Sequence, residues 1–434
     1  MGRTHTDDAG GDIVREYVGR TARSAELHAR LCGVMPAGQT RSVVHFDPYP
    51  VWLADGDGPF VHDVDGNEYI DVLNNYTSLV HGHRHPEISG AVRRGLEAGT
   101  VFPAPHVSQL ELAEMLCERL PAAERVRFTN SGSEATLLAL RIARAATGRL
   151  TVVAFEGGYH GSVPELADGG PDVVRVAYND PDAAESALDS SVAAVIVEPF
   201  LGSGGVVPAA SGFLERLRAR TAEVGALLVL DEVQSLRSSF HGVHGELGLA
   251  PDLVVLGKVI GGGFPVGAVA GREDLLAFTD PRHPSAIAHS GTFNGNVITM
   301  SAGAVCLRLL DEGTIERLDM RAAALSAAIE TEAAKAGVRA VVSRAGSIMQ
   351  VHFRSARPAV AVDPGTQESR MLAMLHLALL LECVYAAPRG MLNLSTVASE
   401  EILADVGSAY GRAFARVRQL VAGPFGPVVA EVAG

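Results

Sequence analysis

The chain has 434 residues, 47% of them hydrophobic and 20% charged, with a formal net charge of -14. That length accommodates two domains with a large shared core, and the acidic balance argues against nucleic acid and anionic membrane surfaces as partners. Four cysteines (Cys32, Cys117, Cys306 and Cys383) are scattered without CxxC spacing, as expected of reduced thiols in a cytoplasmic protein rather than of a disulfide or zinc framework.

Residues 1 to about 12 read as a disordered tail, followed by an amphipathic helix from about Ile13 to Cys32. Met1 to Thr6 fits the short myristoylation pattern, one that chance matches often satisfy, and there is no charged start with an apolar run as in a signal peptide. Arg41 follows, before three strand-like runs separated by Asp55-Gly56-Asp57-Gly58 and Asp65-Gly66-Asn67, the signature of an antiparallel meander. His81, His83 and His85 crowd one short stretch, but no carboxylate nearby completes a metal shell, so no metal is expected.

From Leu110 onward, helical patterns alternate with short, continuously apolar strands: Thr151 to Phe155, Ala193 to Val197, Ala226 to Leu230 and Leu253 to Leu256. This is the pattern of an α/β fold with a mostly parallel sheet buried on both faces. The resulting division is a tail, helix and meander over 1–75, a large α/β domain over 76–310, and a smaller α+β domain over 311–434. Met371 to Tyr385 is the most apolar stretch; it is too short to span a bilayer and reads as a buried helix.

Ligands of open α/β sheets sit beyond the carboxyl ends of the strands, where Glu198, Asp231, Glu232 and Lys258 all fall. Lys258 is one of only two lysines, arginine serving elsewhere as the positive charge. A desolvated lysine can lose its proton and condense with an aldehyde, which arginine cannot. Lys335, in a charged helical stretch, reads as a solvated surface residue.

Ser131, Gly132 and Ser133 open a helix where exposed amides could bind phosphate, although an ordinary N-cap explains the serines equally well. Tyr159, flanked by Gly158 and Gly161, could lie against a planar ligand. A capturing lysine, a phosphate cup, a stacking ring and a carboxylate for a pyridinium nitrogen together specify pyridoxal 5'-phosphate, PLP.

The stretches Asn130–Thr136, Phe155–Gly161, Asp231–Gln234 and Leu256–Gly263 resemble the class III, fold type I aminotransferases, in the branch of glutamate-1-semialdehyde 2,1-aminomutase. The resemblance runs from about residue 35 to 420. It implies that Lys258 forms a Schiff base with PLP and moves the proton during catalysis, and that Asp231 keeps the pyridine nitrogen protonated. It further implies phosphate binding by Ser131, Gly132 and Ser133, stacking by Tyr159, and contacts to the other ring face or phenolic oxygen by Val233 and Gln234. Thr292 matches the position that reaches the cofactor phosphate of a partner subunit, implying a homodimer. The family's Gly-His-x-His-Pro run matches Gly82 to Pro86 and accounts for the histidines without metal.

Within the branch, Thr40 to Val43, Tyr76-Thr77, His289 to Val297 and Ala387 to Gly390 are more similar to β-phenylalanine aminotransferases. There Arg41 and Arg389 would handle the carboxylates of a β-amino acid and of a 2-oxo acid acceptor, with Tyr76 in the substrate pocket. The aminomutases usually carry Ser-Trp in place of Tyr76-Thr77 and proline in place of Val297, whereas Gln234 stands where the β-phenylalanine enzymes have methionine. The expectation is a transaminase for a β-amino acid or related β-keto acid. Intramolecular transfer by a mutase and a catalytically silent scaffold are the competing readings.

Overall fold

The computed structural model describes residues 5–363 and 367–421. The meander consists of β1 (Leu53–Asp57), β2 (Phe60–Asp63) and β3 (Glu68–Asp71), paired antiparallel in sequence. The central sheet contains β4 (Arg125–Thr129), β5 (Thr151–Phe155), β6 (Val173–Val176), β7 (Val192–Val197), β10 (Leu227–Asp231), β11 (Leu253–Gly257) and β12 (Gly267–Gly271); a short hairpin, β8 (Phe200–Leu201) with β9 (Val207–Pro208), lies beside it. The strand order is β4-β12-β11-β10-β7-β5-β6. Only β12 runs against its neighbours, so the other six strands, β11 among them, present their carboxyl ends on the rim that carries Lys258.

Strand sequence explains why both faces are covered. Alternate residues Ala194, Ile196, Val229 and Val255 join one apolar cluster with Leu138 and Ile142 of the helix Gly132–Thr147. Their neighbours Val195, Val197, Leu228 and Leu230 join another with Leu214 and Leu217 of the helix Phe213–Val224. Burying each such side chain contributes roughly 1.5–3 kcal/mol, so a charge tolerated on one face of a half-wet sheet has no place here. In the inner strands β7, β10 and β11 polar groups are consequently confined to the strand ends, whereas the outer β4 and β6 carry Arg127 and Arg175.

The C-terminal part holds β13 (Val341–Ala345), β14 (Ile348–His352), β15 (Val384–Tyr385) and β16 (Met391–Asn393), with the helices Glu312–Lys335, Gln367–Leu381 and Glu400–Val421. Strand β15 adds in parallel to β3, so the N-terminal meander and the C-terminal segment share one sheet.

Three local expectations are revised. Helix begins at His5, not near Ile13, because the segment His5–Arg20 packs on the last two long helices and buries Ile13 and Tyr17 there. It is also not continuous to Cys32: Thr21 leaves helical geometry, its hydroxyl bonding the Tyr17 carbonyl at 2.7 Å, and a second helix runs Ala22–Cys32. The apolar stretch from Met371 ends as helix at Leu381, after which Cys383 turns left-handed (φ 61°) and feeds β15. Among the described residues no helix is long and apolar enough to cross a membrane. The start of the myristoylation-like pattern, residues 1–4, lies outside the described residues.

Candidate active site

Lys258 follows β11 directly, in a left-handed conformation (φ 46°) between Gly257 and a short turn ending at Gly262. Such a geometry costs a non-glycine residue roughly 1–2 kcal/mol and persists only where surrounding packing dictates it. Here it follows from the strand: β11 is wholly buried, and the turn releases the side chain into a cavity of about 490 Å³. Burial lowers the Lys258 amine below the usual lysine range, partly offset by Asp231 and Glu198 and reinforced by Arg389. An amine so placed can act as base and nucleophile. Lys335, by contrast, is exposed and paired with Glu332 at 2.6 Å.

Asp231 ends β10 and is almost fully buried. Its Oδ1 accepts the Val233 amide at 3.0 Å, and its Oδ2 meets His160 Nδ1 at 2.8 Å. Burial works against a charged His160, but the Asp231 contact outweighs it and raises the imidazole's affinity for protons. His160 was not singled out from sequence; the one signal was its place after Tyr159 in a glycine-rich run. Glu198, at the end of β7, accepts the amides of Tyr159 (2.9 Å) and Gly202 (3.1 Å).

At the opposite wall Ser131 caps the helix Gly132–Thr147, its Oγ accepting the Glu134 amide at 3.1 Å, while Ser133 Oγ accepts the Ser162 amide at 2.9 Å. The first turn therefore combines hydroxyls, amides and the positive end of the helix dipole. Gly161 must lack a side chain, since a Cβ there would stand 2.1 Å from Ser133 Oγ.

Arg41, Ser131, Gly132, Ser133, Tyr159, Asp231, Val233, Gln234 and Lys258 all line this one cavity. Tyr76 and Arg389 adjoin it through Arg41: the Tyr76 ring centroid lies 5.9 Å from the Arg41 guanidinium carbon and 5.6 Å from that of Arg389. Arg41 donates to Asn75 Oδ1 at 3.0 Å and Arg389 contacts Met391 Sδ at 3.0 Å, yet among the described residues neither pairs with a carboxylate. The Arg389 Nε is buried and has no hydrogen-bond partner among the described residues. Burial lowers the Arg389 pKa from its ordinary value, Tyr76 and Glu198 opposing the shift.

Tyr76 sits in a turn where Asn74, Asn75, Tyr76 and Thr77 all have positive φ, between 47° and 77°. Asn tolerates this conformation; Tyr and the β-branched Thr do not favour it. The turn is held by Asp71, which accepts the amides of Leu73 and Asn74, by Asn74 Nδ2 donating to the Asn393 carbonyl, and by the buried Arg237, which donates to Asn393 Oδ1 and to the Thr77 carbonyl. His83 bonds Asp71 Oδ2 and so braces the turn, while His81 lies between Thr396 and the Cys306 carbonyl. Thr292 lies elsewhere, exposed beside Phe293, which is 58% exposed, and does not line its own chain's cavity.

The residues present suit PLP. Thr136 Oγ1 and His160 Nε2, both of residues lining the cavity, are buried without partners among the described residues, and the donor set pairs an anion cup with a buried carboxylate and an amine.

The class-III aminotransferase family model matches residues 43–376. The β-phenylalanine transaminase of Variovorax paradoxus is 37% identical over 93% of this chain and 96% of its own; the crystal structure of a β-phenylalanine aminotransferase from that organism superposes with a TM-score of 0.90, at 37% identity over 94% of this chain and 96% of the other. Glutamate-1-semialdehyde 2,1-aminomutase 2 of Geobacillus kaustophilus is likewise 37% identical, over 91% and 99% of the two chains. An omega-transaminase from Sphaerobacter thermophilus gives a TM-score of 0.86 at 37% identity, covering 91% and 98%.

Proposed function

The chain belongs to the class-III aminotransferases, PLP-dependent enzymes of fold type I, and from that premise we propose that it moves an amino group between a β-amino acid, or the related β-keto acid, and a 2-oxo acid. The observation that carries the β-amino acid reading is the pair of guanidinium groups flanking Tyr76, both without a carboxylate partner among the described residues, at a cavity that ends on Lys258.

In this reading Ser131, Gly132 and Ser133 would hold the PLP phosphate, Tyr159, Val233 and Gln234 would bind its ring, and Asp231, braced by His160, would keep its ring nitrogen protonated. Bound PLP supplies an aldehyde to take up the amine and a cationic ring to absorb the electrons left when a carbon loses its proton. Lys258 moves that proton: its amine, weakened as an acid-holder by burial, takes it from the nitrogen-bearing carbon and returns it on the product side. Arg41 and Arg389 receive the carboxylates of donor and acceptor in turn, each able to grip with two parallel hydrogen bonds. Thr292, exposed on its own protomer, would complete the cofactor site of a second copy in a homodimer.

The test is to add β-amino acids, glutamate and glutamate-1-semialdehyde separately to the purified protein, follow its visible absorption and identify products. A β-amino acid should bleach the cofactor band and 2-oxoglutarate or pyruvate should restore it. Conversion of glutamate-1-semialdehyde to 5-aminolevulinate without an acceptor would overturn this reading and the roles given to Arg41 and Arg389. Lys258→Ala should lower turnover by at least ~10²–10⁴-fold, the usual contribution of a positioned proton-transfer group; undiminished turnover would remove Lys258 from its role.

A further inference from the structure

Glu198 is the cavity carboxylate to which amino transfer assigns no task. The register of β7 with β10 pairs Val197 with Leu230, so Glu198 and Asp231 leave neighbouring strands side by side, 6% and 4% exposed. Its two oxygens are each committed to a backbone amide, that of Tyr159 and that of Gly202. The first amide belongs to the residue whose ring faces the cofactor site. The second belongs to a glycine pressed against Gln234, where a Cβ would stand 1.7 Å from Gln234 Oε1. One side chain thus ties the Tyr159 loop, a wall of the cavity, to the Gly202 loop, which backs the cavity residue Gln234.

We propose that Glu198 is a positioning residue whose ionised carboxylate clamps the Tyr159 and Gly202 loops onto the cofactor site, and whose protonation releases that clamp. The inference rests on the reading of this cavity as the PLP site. An ionised carboxylate accepts hydrogen bonds at both oxygens, whereas a protonated one turns one oxygen into a donor, so one of the two amides loses its acceptor. Burial raises the Glu198 pKa to about 7, against the influence of His160 and with that of Asp231, so the release falls in the neutral range. The titratable or charged groups that face it are His160, Asp231, Lys258, Arg389 and the Tyr178 phenol.

The sign separates positioning from mere structure. Because the folded value lies above the ordinary 4.5, this group's contribution to fold stability is greatest at low pH and declines as pH rises through about 7. The clamp strengthens over that same rise. Stability and cofactor retention therefore move in opposite directions.

The experiment measures PLP loss from the holoenzyme, diluted into a carbonyl-trapping buffer, by visible absorption from pH 6 to 8, with melting temperature followed in parallel. Wild type should lose PLP about tenfold faster at pH 6 than at pH 8, the size expected for one charge-assisted hydrogen bond. Glu198→Gln, which offers an acceptor to one amide only, should lose it fast throughout, and Glu198→Asp should restore the pH dependence. Wild-type loss independent of pH, or a Glu198→Gln course matching wild type, overturns the clamp. A wild-type chain with no cofactor band overturns the PLP site itself, and the clamp with it.

Discussion

Arg41 and Arg389 approach Tyr76 through its ring, and each keeps its donors free of any acidic side chain among the described residues. A charged hydrogen bond contributes about 1.5–3 kcal/mol, so losing half of a two-pronged grip should cost about 10–100-fold. Arg389→Lys and Arg41→Lys should each raise KM by that factor, one for the donor and the other for the acceptor, with kcat changed far less. Equal effects on both substrates from a single variant would contradict a division of labour. Lys258 was legible at this scale because lysine is scarce and the glycines beside it are not decorative. His160 was not, because a lone histidine carries no spacing; only the fold brings its Nδ1 to Asp231.

At the scale of elements, the phosphate cup depends on how closely β12 passes the start of the helix Gly132–Thr147. A Cβ on Gly267 would stand 2.0 Å from the Ser131 carbonyl oxygen, which is backbone and cannot rotate away. Gly267→Ala should therefore destabilise the fold by about 1–3 kcal/mol and weaken PLP retention together, checked by denaturant unfolding and by cofactor content. A variant with unchanged stability and full PLP would show that the helix start can shift without loss. The left-handed turn Asn74–Thr77 makes a different point: Asn-Asn-Tyr-Thr alone does not specify it, and it is held because Asn393 and Arg237, from distant parts of the chain, join the neighbouring Asp71 in bonding it. The strands were readable for the opposite reason, since burial on both faces leaves an unbroken apolar run in each.

For the whole molecule, PLP binds the folded chain and so stabilises it by mass action: at a free concentration 100-fold above its Kd, by about 2.7 kcal/mol. Removing it should lower the unfolding free energy accordingly. The placement of Thr292 on the exposed surface makes the dimer testable independently. Thr292→Ala should weaken PLP retention, and mixing it with Lys258→Ala should yield hybrid dimers in which the site with an intact Lys258 faces an intact Thr292. Recovered activity per such site would support sharing across the interface; no recovery, with hybrids demonstrated, would speak against it.

The amino-acid sequence by itself determined what depends on neighbours along the chain: apolar strands, the serine-capped helix start, and the glycine-lined lysine that points to PLP. It also signalled the family through short motifs, each of them local. Tertiary structure alone decided what depends on convergence. It seated Tyr76 between two arginines drawn from opposite ends of the chain, joined His160 to Asp231, and set Glu198 across two loops. It also docked the helix His5–Arg20 on the last two long helices through the buried Ile13 and Tyr17, an anchoring that the polar, glycine-containing sequence of residues 5–12 does not announce. Local propensity is written at each position, whereas the field and packing around a buried group come from residues that meet only once the sheet has formed.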